Sequence, residues 1–277
     1  MAVTITYKDE PIVTFSDDIK VLNTAGTWTE DNITVEEDNT GLYNVDQIAQ
    51  HDFSGDLVLT IDNMNSVIEN YAFANSKITS LSIPGKIGQI KGYAFFACTQ
   101  LLTAEILQCQ TINDRTFSNC TNLRRAKLPQ VRNVTGYTFY GCTKLEQICM
   151  PMLGYTGNGR TGADIAQNCT ALTAMDYGYL KTIDANAFKN CQNFDTLILR
   201  RTDIPCTISN INAFTSTKFD NPNYTGKIYV PQSLINTYSG LANWSDLLDP
   251  GLNNQILSIE GSQYQNYYID GSPVTEP

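Results

Sequence analysis

Apolar and polar positions recur along the middle of the chain with a period of 22 residues. Five segments superimpose as an aliphatic residue, three variable positions, Ala or Thr, Phe, two variable positions and a small residue, and they start at residues 68, 90, 112, 134 and 183. Behind the small residue, apolar positions then alternate with polar ones, as at Leu101, Ala104 and Ile106. Alternation is the period of a half-buried strand, and a fixed period of this length is typical of stacked repeats. Each unit is therefore predicted to be one strand plus one return segment.

The aligned aromatic and thiol positions predict a buried spine. A single unit cannot bury its apolar side, but stacked units share one continuous core. The predicted spine consists of Phe73, Phe95, Phe117, Phe139 and Phe188, with Cys98, Cys120, Cys142, Cys169 and Cys191 as a ladder of small residues that Ser76 begins. Free Cys behaves as a small hydrophobe, and the closely spaced Cys pairs of zinc sites do not occur. We predict a reduced structural ladder without a metal or cofactor.

One glycine-rich stretch, residues 154–162, interrupts the period. It lacks the Gly-Lys-Ser/Thr ending of a phosphate-binding loop, and no long helical pattern follows it. We interpret it as a surface loop between two coils. Loops on rigid scaffolds often carry recognition, so Tyr155 and Arg160 are candidate binding residues.

The consensus Ala-Phe-x-x-Cys-x-x-Leu-x-x-Leu-x-Leu-Pro resembles the BspA-like leucine-rich repeats, over about residues 66 to 220. The resemblance continues into the segment that often closes such arrays, where a strand ends at Pro231. There Leu234, Tyr238, Leu241 and Trp244 share one face of a short amphipathic helix. The resemblance implies a β-rich α/β leucine-rich-repeat solenoid that binds partners and is not an enzyme.

A second resemblance lies near the amino terminus. Residues 22–35 are similar to a stretch near the front of many tailed-phage structural proteins, although Thr27 and Trp28 replace the usual Lys and Tyr. Residues 1–70 also hold 14 acidic and two basic side chains, which suggests different surroundings from the rest of the chain. Short strands are expected at residues 3–7, 12–15 and 33–35.

These observations predict three parts. Residues 1–60 form a β-rich docking module, residues 61–225 the solenoid, and residues 226–277 a strand-helix cap followed by a hairpin around Gly261 and Ser262. The start of the chain lacks the basic and apolar regions of a signal peptide. The leading hypothesis is a phage or prophage virion protein, such as a decoration, fibre or tail-associated protein, made in the host cytoplasm and present in several copies. The alternative is a bacterial cell-surface adhesin.

The outward face of the repeat sheet is the predicted binding surface. If the apolar strand positions point inward, their neighbours point outward. The candidate binding residues on this face are Thr103, Glu105, Arg124, Arg125, Lys127, Gln147, Asp176 and Thr196. They form a mixed, mildly polar strip suited to a host-surface protein or a glycan.

Catalytic candidates are scarce. His51 is the single histidine and is far from the ladder cysteines in a linear stack, so no nucleophile pair is predicted. The acidic pairs lack the EF-hand spacing. A net charge of -10 argues against nucleic-acid binding, and no apolar run is long enough to insert into a membrane.

Overall fold

The computed structural model describes residues 3–7, 10–15, 28–29, 32–33, 54–60, 63–68, 70–156, 158–220, 225–247 and 255–274. The strands in these ranges are β1 Val3–Tyr7, β2 Glu10–Phe15, β3 Trp28–Thr29, β4 Asn32–Ile33, β5 Ser54–Thr60, β6 Asn63–Ile68, β7 Lys77–Ile90, β8 Thr103–Ile112, β9 Arg125–Lys127, β10 Asn133–Val134, β11 Gln147–Met150, β12 Ala174–Tyr177, β13 Thr182–Ile183, β14 Thr196–Leu199, β15 Thr207–Ile208, β16 Lys227–Val230 and β17 Ile256–Ser258. Helical segments are α1 Ile235–Ser239 and the 3-10 turns Ile211–Phe214, Gln232–Leu234 and Ser245–Leu247.

Successive coils contribute parallel strands to one long sheet. From β5 to β17 the order is β5, β7, β8, β9, β11, β12, β14, β16 and β17, each parallel to the next. At the front, β1 adds antiparallel to β5, and β2 adds antiparallel to β1. The predicted β-rich solenoid is confirmed.

Several coils, at the front and at the rear, contain a second short strand after the first. Strands β6 and β10 pair with the later parts of β7 and β8, and β13 pairs with β15. The prediction of one strand per unit was therefore wrong for these coils. Pro129 and Pro151 follow the ends of β9 and β11 as predicted, but β7 runs through Pro84. The pairing with β8 shifts between Ile83 and Lys86, so Pro84 sits where no backbone N–H is needed.

Left-handed backbone explains the Asn and Gly that precede the ladder cysteines. The residue before each thiol has positive φ, as at Ala97 (54°), Asn119 (62°) and Gly141 (72°). Asn and Gly tolerate this conformation better than other residues. The return segment between the phenylalanine and the thiol is consequently a tight turn.

The phenylalanines stack along the axis as predicted. Ring centroids lie 5.2 Å apart between Phe73 and Phe95, 5.4 Å between Phe95 and Phe117, and 5.7 Å between Phe117 and Phe139, with interplanar angles of 5° to 6°. Phe188 instead packs at a tilt against Phe194 and Phe214. The stacking confirms that the repeat units superimpose in space.

The thiols form a ladder beside the rings. The Sγ of Cys120 donates to the carbonyl oxygen of Phe95 at 3.1 Å, and the Sγ of Cys142 donates to that of Phe117 at 3.0 Å. Cys98, Cys169 and Cys191 each make the equivalent bond at 3.0 Å. All eight cysteines are buried, so the predicted burial of the ladder is confirmed. Burial raises the pKa values of the Cys98, Cys142 and Cys191 thiols, which keeps them protonated.

The cap closes the rear of the core. The Cys206 N–H donates to the hydroxyl of Tyr238 (2.7 Å), and the indole N–H of Trp244 donates to the carbonyl of Cys206 (2.8 Å). Both aromatic side chains are fully buried, whereas Leu234 and Leu241 are partly buried against the core. The predicted packing is confirmed, but the helix is shorter than predicted because α1 ends at Ser239.

The predicted hairpin around Gly261 and Ser262 was wrong. Strand β17 pairs in parallel with β16, so its hydrogen bonds are made with the solenoid instead of with a following strand. The chain then crosses the sheet and reverses later, where the Gly271 N–H donates to the carbonyl of Tyr268 and Tyr267 bridges to Pro273.

The amino-terminal predictions are only partly covered. Strand β1 has the predicted bounds, β2 begins two residues earlier than predicted, and β4 overlaps the predicted third strand at Ile33. His51 and most of residues 22–35 lie outside the described residues.

Candidate binding face

Two rows of side chains cross the outward face of the long sheet, one residue from each strand per row. The strand pairings define the first row as Asp56, Ser80, Thr103, Arg125, Gln147, Ala174, Thr196 and Lys227. The second row contains Ser82, Glu105, Lys127, Cys149, Asp176, Ile198 and Tyr229. The predicted inward positions of these strands, from Leu81 to Leu199, are all buried. We call these two lines the outer rows.

The front part of the outer rows is open to solvent and carries charge. Thr103, Arg125, Lys127 and Gln147 are exposed and Glu105 is half-buried. The Lys127 ammonium donates to a Glu105 carboxylate oxygen at 2.8 Å, and this bond raises the pKa of Lys127. No ion pair within the described part of the chain involves the guanidinium of Arg125. This part of the face therefore offers an accessible cation to a partner.

A neighbouring ion pair lies where the strands begin. Arg124 is exposed and its Nη1 lies 3.3 Å from a carboxylate oxygen of Glu146. Exposed pairs of this kind contribute little to stability, because water screens both charges. Arg124 consequently remains an available contact at the edge of the open face.

The rear part of the outer rows is covered by the chain itself. Asp176 was predicted to be exposed, and this was wrong, because its side chain is fully buried. Cys149 and Ile198, in the same row, are 4% and 0% exposed. Thr196 is half-buried, and its hydroxyl donates to the carboxylate of Asp195. Residues 264–272 lie across this part of the sheet and exclude water from it.

Arg200 and Asp176 hold this carboxyl-terminal segment to the sheet. Arg200 makes two hydrogen bonds to Asp176, of 2.7 and 2.8 Å, and also donates to the main-chain carbonyls of Tyr264 (2.7 Å) and Tyr267 (3.0 Å). The N–H of Ile269 donates to Asp176 at 3.1 Å. The guanidinium carbon also lies 4.7 Å from the centre of the Tyr268 ring, within the range of a cation–π contact. Together these contacts satisfy both buried charges.

Burial dominates the electrostatics of this region. Loss of solvation raises the pKa of Asp176, and the hydrogen bonds and charge of Arg200 oppose that shift. Burial likewise raises the pKa of the Cys149 thiol. Both side chains are buried beneath the carboxyl-terminal segment, so neither is accessible to a substrate in this arrangement.

The segment leaves a cleft on each side. The first cleft, about 650 Å³, separates Ile269 to Ser272 from the open part of the face at Arg125, Lys127 and Gln147. The second, about 630 Å³, lies at the ends of the strands and is lined by Tyr155, Tyr179, Lys181, Arg201, Tyr268 and Val274, among others. The segment is thus a divider between two solvent-filled depressions.

The structure separates the two candidate residues of the inserted loop. Tyr155 is exposed beside the second cleft, with its ring 5.1 Å from that of Tyr179. Arg160 pairs with Asp184 and bridges to Thr182 of β13, one of the second short strands. Arg160 therefore does not share the face of Arg125, and only part of the loop is at the surface, because Gly159 and Thr161 are buried.

Sequence reasoning missed the residues that hold the carboxyl-terminal segment. Arg200 continues the alternation of Thr196 and Ile198, so the pattern could have placed it on the outward face. The cluster of Tyr264, Tyr267 and Tyr268 was a signal of packing, but its partner was not visible in the repeat.

No catalytic or metal-binding arrangement stands out in the ranges the structure describes. Within them, no three His, Cys, Asp or Glu side chains are grouped closely enough to hold a metal ion. None of the helices described there is long and apolar enough to cross a membrane.

Comparison with known proteins identifies the repeat. No curated protein matches the chain. Solved structures do match, among them a leucine rich repeat protein of T. pallidum (17% identity, 55% of this chain and 78% of that one, TM-score 0.37) and a leucine-rich repeat protein from Bacteroides ovatus ATCC 8483 (15% identity, 71% and 70%, TM-score 0.25). Residues 43–146, 66–195 and 162–269 match the family described as BspA type leucine rich repeat region, in six copies. The chain therefore belongs to the BspA type leucine-rich-repeat family, which has a protein-binding type of fold.

Proposed function

We propose that the chain is a non-enzymatic binding protein whose open outer rows contact a protein partner. The observation that carries this proposal is the contrast along one face: the rear half is covered by the chain, while Arg125, Lys127 and Gln147 remain exposed on rigid strands. Binding sites on strands hold their side chains more precisely than sites on loops. An exposed guanidinium is also well suited to a carboxylate on the partner.

The partner proposed for this face is a protein on the surface of a host cell. A surface glycan is the other possible ligand, since Thr103, Glu105 and Gln147 offer both donors and acceptors. Charge reversal of Arg125 should abolish attachment to a protein carboxylate but have little effect on a neutral glycan.

We further propose that the protein is part of a phage or prophage virion, in several copies, with residues 1–60 docking it to other virion proteins. The resemblance of residues 22–35 to tailed-phage structural proteins supports this role. The β1–β2 hairpin is consistent with it, because it extends the sheet of the solenoid at the end opposite the cap.

Particle incorporation tests the virion role. Deletion of residues 1–50 retains β5, the strand on which the solenoid sheet begins, and should prevent incorporation into particles. The matched control is the variant Arg125→Glu/Lys127→Glu, which should be incorporated normally but fail to attach to host cells. Normal incorporation of the deletion variant would refute the docking role. Labelling of the chain on a bacterial surface instead of on particles would support the adhesin alternative.

A further inference from the structure

The covered half of the face already holds a polypeptide. Residues 264–272 are joined to the rest of the chain through β17, yet their contacts with the sheet are those of a bound peptide. Three hydrogen bonds use main-chain atoms: Arg200 donates to two carbonyls, and Asp176 accepts from the Ile269 N–H. These contacts recognise main-chain atoms, which any residue type could supply.

One side chain adds selectivity. Tyr268 is 8% exposed and lies over the Arg200 guanidinium, whereas the adjacent Tyr267 is 55% exposed. Tyr264 packs edge-on against Tyr229, with ring centroids 4.7 Å apart. The sheet therefore favours an aromatic residue at the position of Tyr268, with a second aromatic residue four positions before it.

The ion pair beneath the segment is part of the surface that the segment contacts. Asp176 and Arg200 lie on the outward side of the sheet, where other coils carry solvated residues such as Lys127 and Glu105. Burying two charges is costly unless their remaining hydrogen bonds are satisfied. Here the main chain of the segment satisfies them, so the sheet surface and the segment are complementary.

We propose that the surface formed by Cys149, Asp176, Ile198, Arg200 and Tyr229 is a binding site for a polypeptide segment carrying an aromatic residue, and that residues 264–272 are its built-in occupant. This inference rests on the proposed polypeptide-binding function of the outer rows and assigns a second site to them. A partner segment that displaces the occupant would join the two clefts into one groove from Arg125 to Tyr155. Residues 264–272 thus cover the site until a partner segment displaces them.

Thiol labelling of the full chain tests this site, because Cys149 is the cysteine on the covered outward face. Its side chain borders the first cleft together with Ile269 and Asp270. The variant Tyr268→Ala should raise the rate of Cys149 labelling by dithionitrobenzoate by about tenfold or more, as expected for losing a contact with a charged group. The matched control Tyr267→Ala should leave the rate unchanged. The seven other cysteines should stay unreactive in both variants and report that the core is folded.

Addition of a peptide completes the test. A synthetic peptide with the sequence of residues 260–274 should slow Cys149 labelling in the Tyr268→Ala chain, and the same peptide carrying Tyr268→Ala should not. If all eight thiols react in Tyr268→Ala, the variant Ile269→Pro, which removes the N–H donated to Asp176, is measured in the same way. Unchanged Cys149 labelling in both variants, or no protection by the natural peptide, would overturn the proposal. Particle incorporation and the effect of Arg125→Glu are independent of this result, so the two proposals can fail separately.

Discussion

The front and rear coils of the solenoid differ in how their aromatic side chains pack and in whether their outward face is covered. In the front coils, from Phe73 to Phe139, the rings are nearly parallel and the outward face is open. In the rear coils the rings of Phe188, Phe194 and Phe214 meet at mixed angles, and the outward face is covered. The two regions share inward-facing strand positions but differ in how strictly the period is kept. Where the 22-residue period is strict, the aromatic core is regular and the outward face of the sheet is open. Where the period is broken, distant parts of the chain pack against that face.

The largest expected effect comes from interrupting the parallel stack. Phe117→Ala should lower the free energy of unfolding by about 3 to 5 kcal/mol, because the neighbouring rings are held in register and cannot fill the void. Phe214→Ala should cost less, since its tilted neighbours can move into the space. Urea unfolding followed by circular dichroism gives both values, with Phe117→Leu as the conservative control. An equal or larger loss for Phe214→Ala would contradict the contrast between the regions.

The next effect compares two ion pairs on the outward face. Arg200→Met leaves Asp176 buried without a partner and should destabilise the protein by about 3 kcal/mol. Lys127→Met breaks the exposed pair with Glu105 and should cost about 0 to 1 kcal/mol. The side chains of Arg200 and Asp176 are 10% and 0% exposed, against 48% and 46% for Lys127 and Glu105. Equal losses in urea unfolding would show that the carboxyl-terminal segment does not exclude water from the rear face.

Alkaline pH should destabilise the core through its thiols. Burial raises the pKa of Cys109 from 9.0 to about 12. The unfolded thiol ionises first, so the stability it contributes is complete below pH 9 and is lost as the pH rises from 9 towards 12. By pH 10 the loss from this thiol should be about 1.4 kcal/mol.

The variant Cys109→Ala isolates that contribution. Its unfolding free energy should fall less between pH 8 and pH 10 than that of the unaltered chain, by the amount assigned to the thiol. Burial also raises the pKa of Cys206 in the rear coils, so Cys206→Ala should show the same difference. A smaller difference for Cys206→Ala would indicate that the rear core admits water more readily than the front core.

The sequence was sufficient to predict what the period controls. The ring stack, the thiol ladder and the inward strand positions follow from side chains that recur every 22 residues, so each prediction was tested several times within one chain. The position of residues 264–272 could not be predicted in this way. Its contacts join residues 64 to 93 positions apart, such as Arg200 with Tyr264 and Asp176 with Ile269, and each occurs once. The exposure of Asp176 was mispredicted for this reason, because alternation gives the direction of a side chain but not what covers it.

The smallest expected effect concerns one residue that departs from the period within the front coils. The left-handed position before the small ladder residue is occupied by Asn75, Ala97, Asn119, Gly141, Asn168 and Asn190. Ala97 is the member of this row that lacks both the conformational freedom of glycine and the local hydrogen bonding of asparagine. At the rear, the Asn190 side chain donates to that of Asn168 at 2.8 Å, so adjacent members of the row also bond to each other.

Ala97→Asn should therefore raise the free energy of unfolding by about 0.5 to 1 kcal/mol, by reducing backbone strain and joining the row between Asn75 and Asn119. Ala97→Val should lower it, because a β-branched residue is strained at positive φ. Both variants keep the ring stack intact, and urea unfolding measures the difference directly. A stabilised Ala97→Val chain would mean that the turn relaxes out of the left-handed conformation. The regularity of the front coils would then depend on the rings and thiols, with no contribution from the turns that link them.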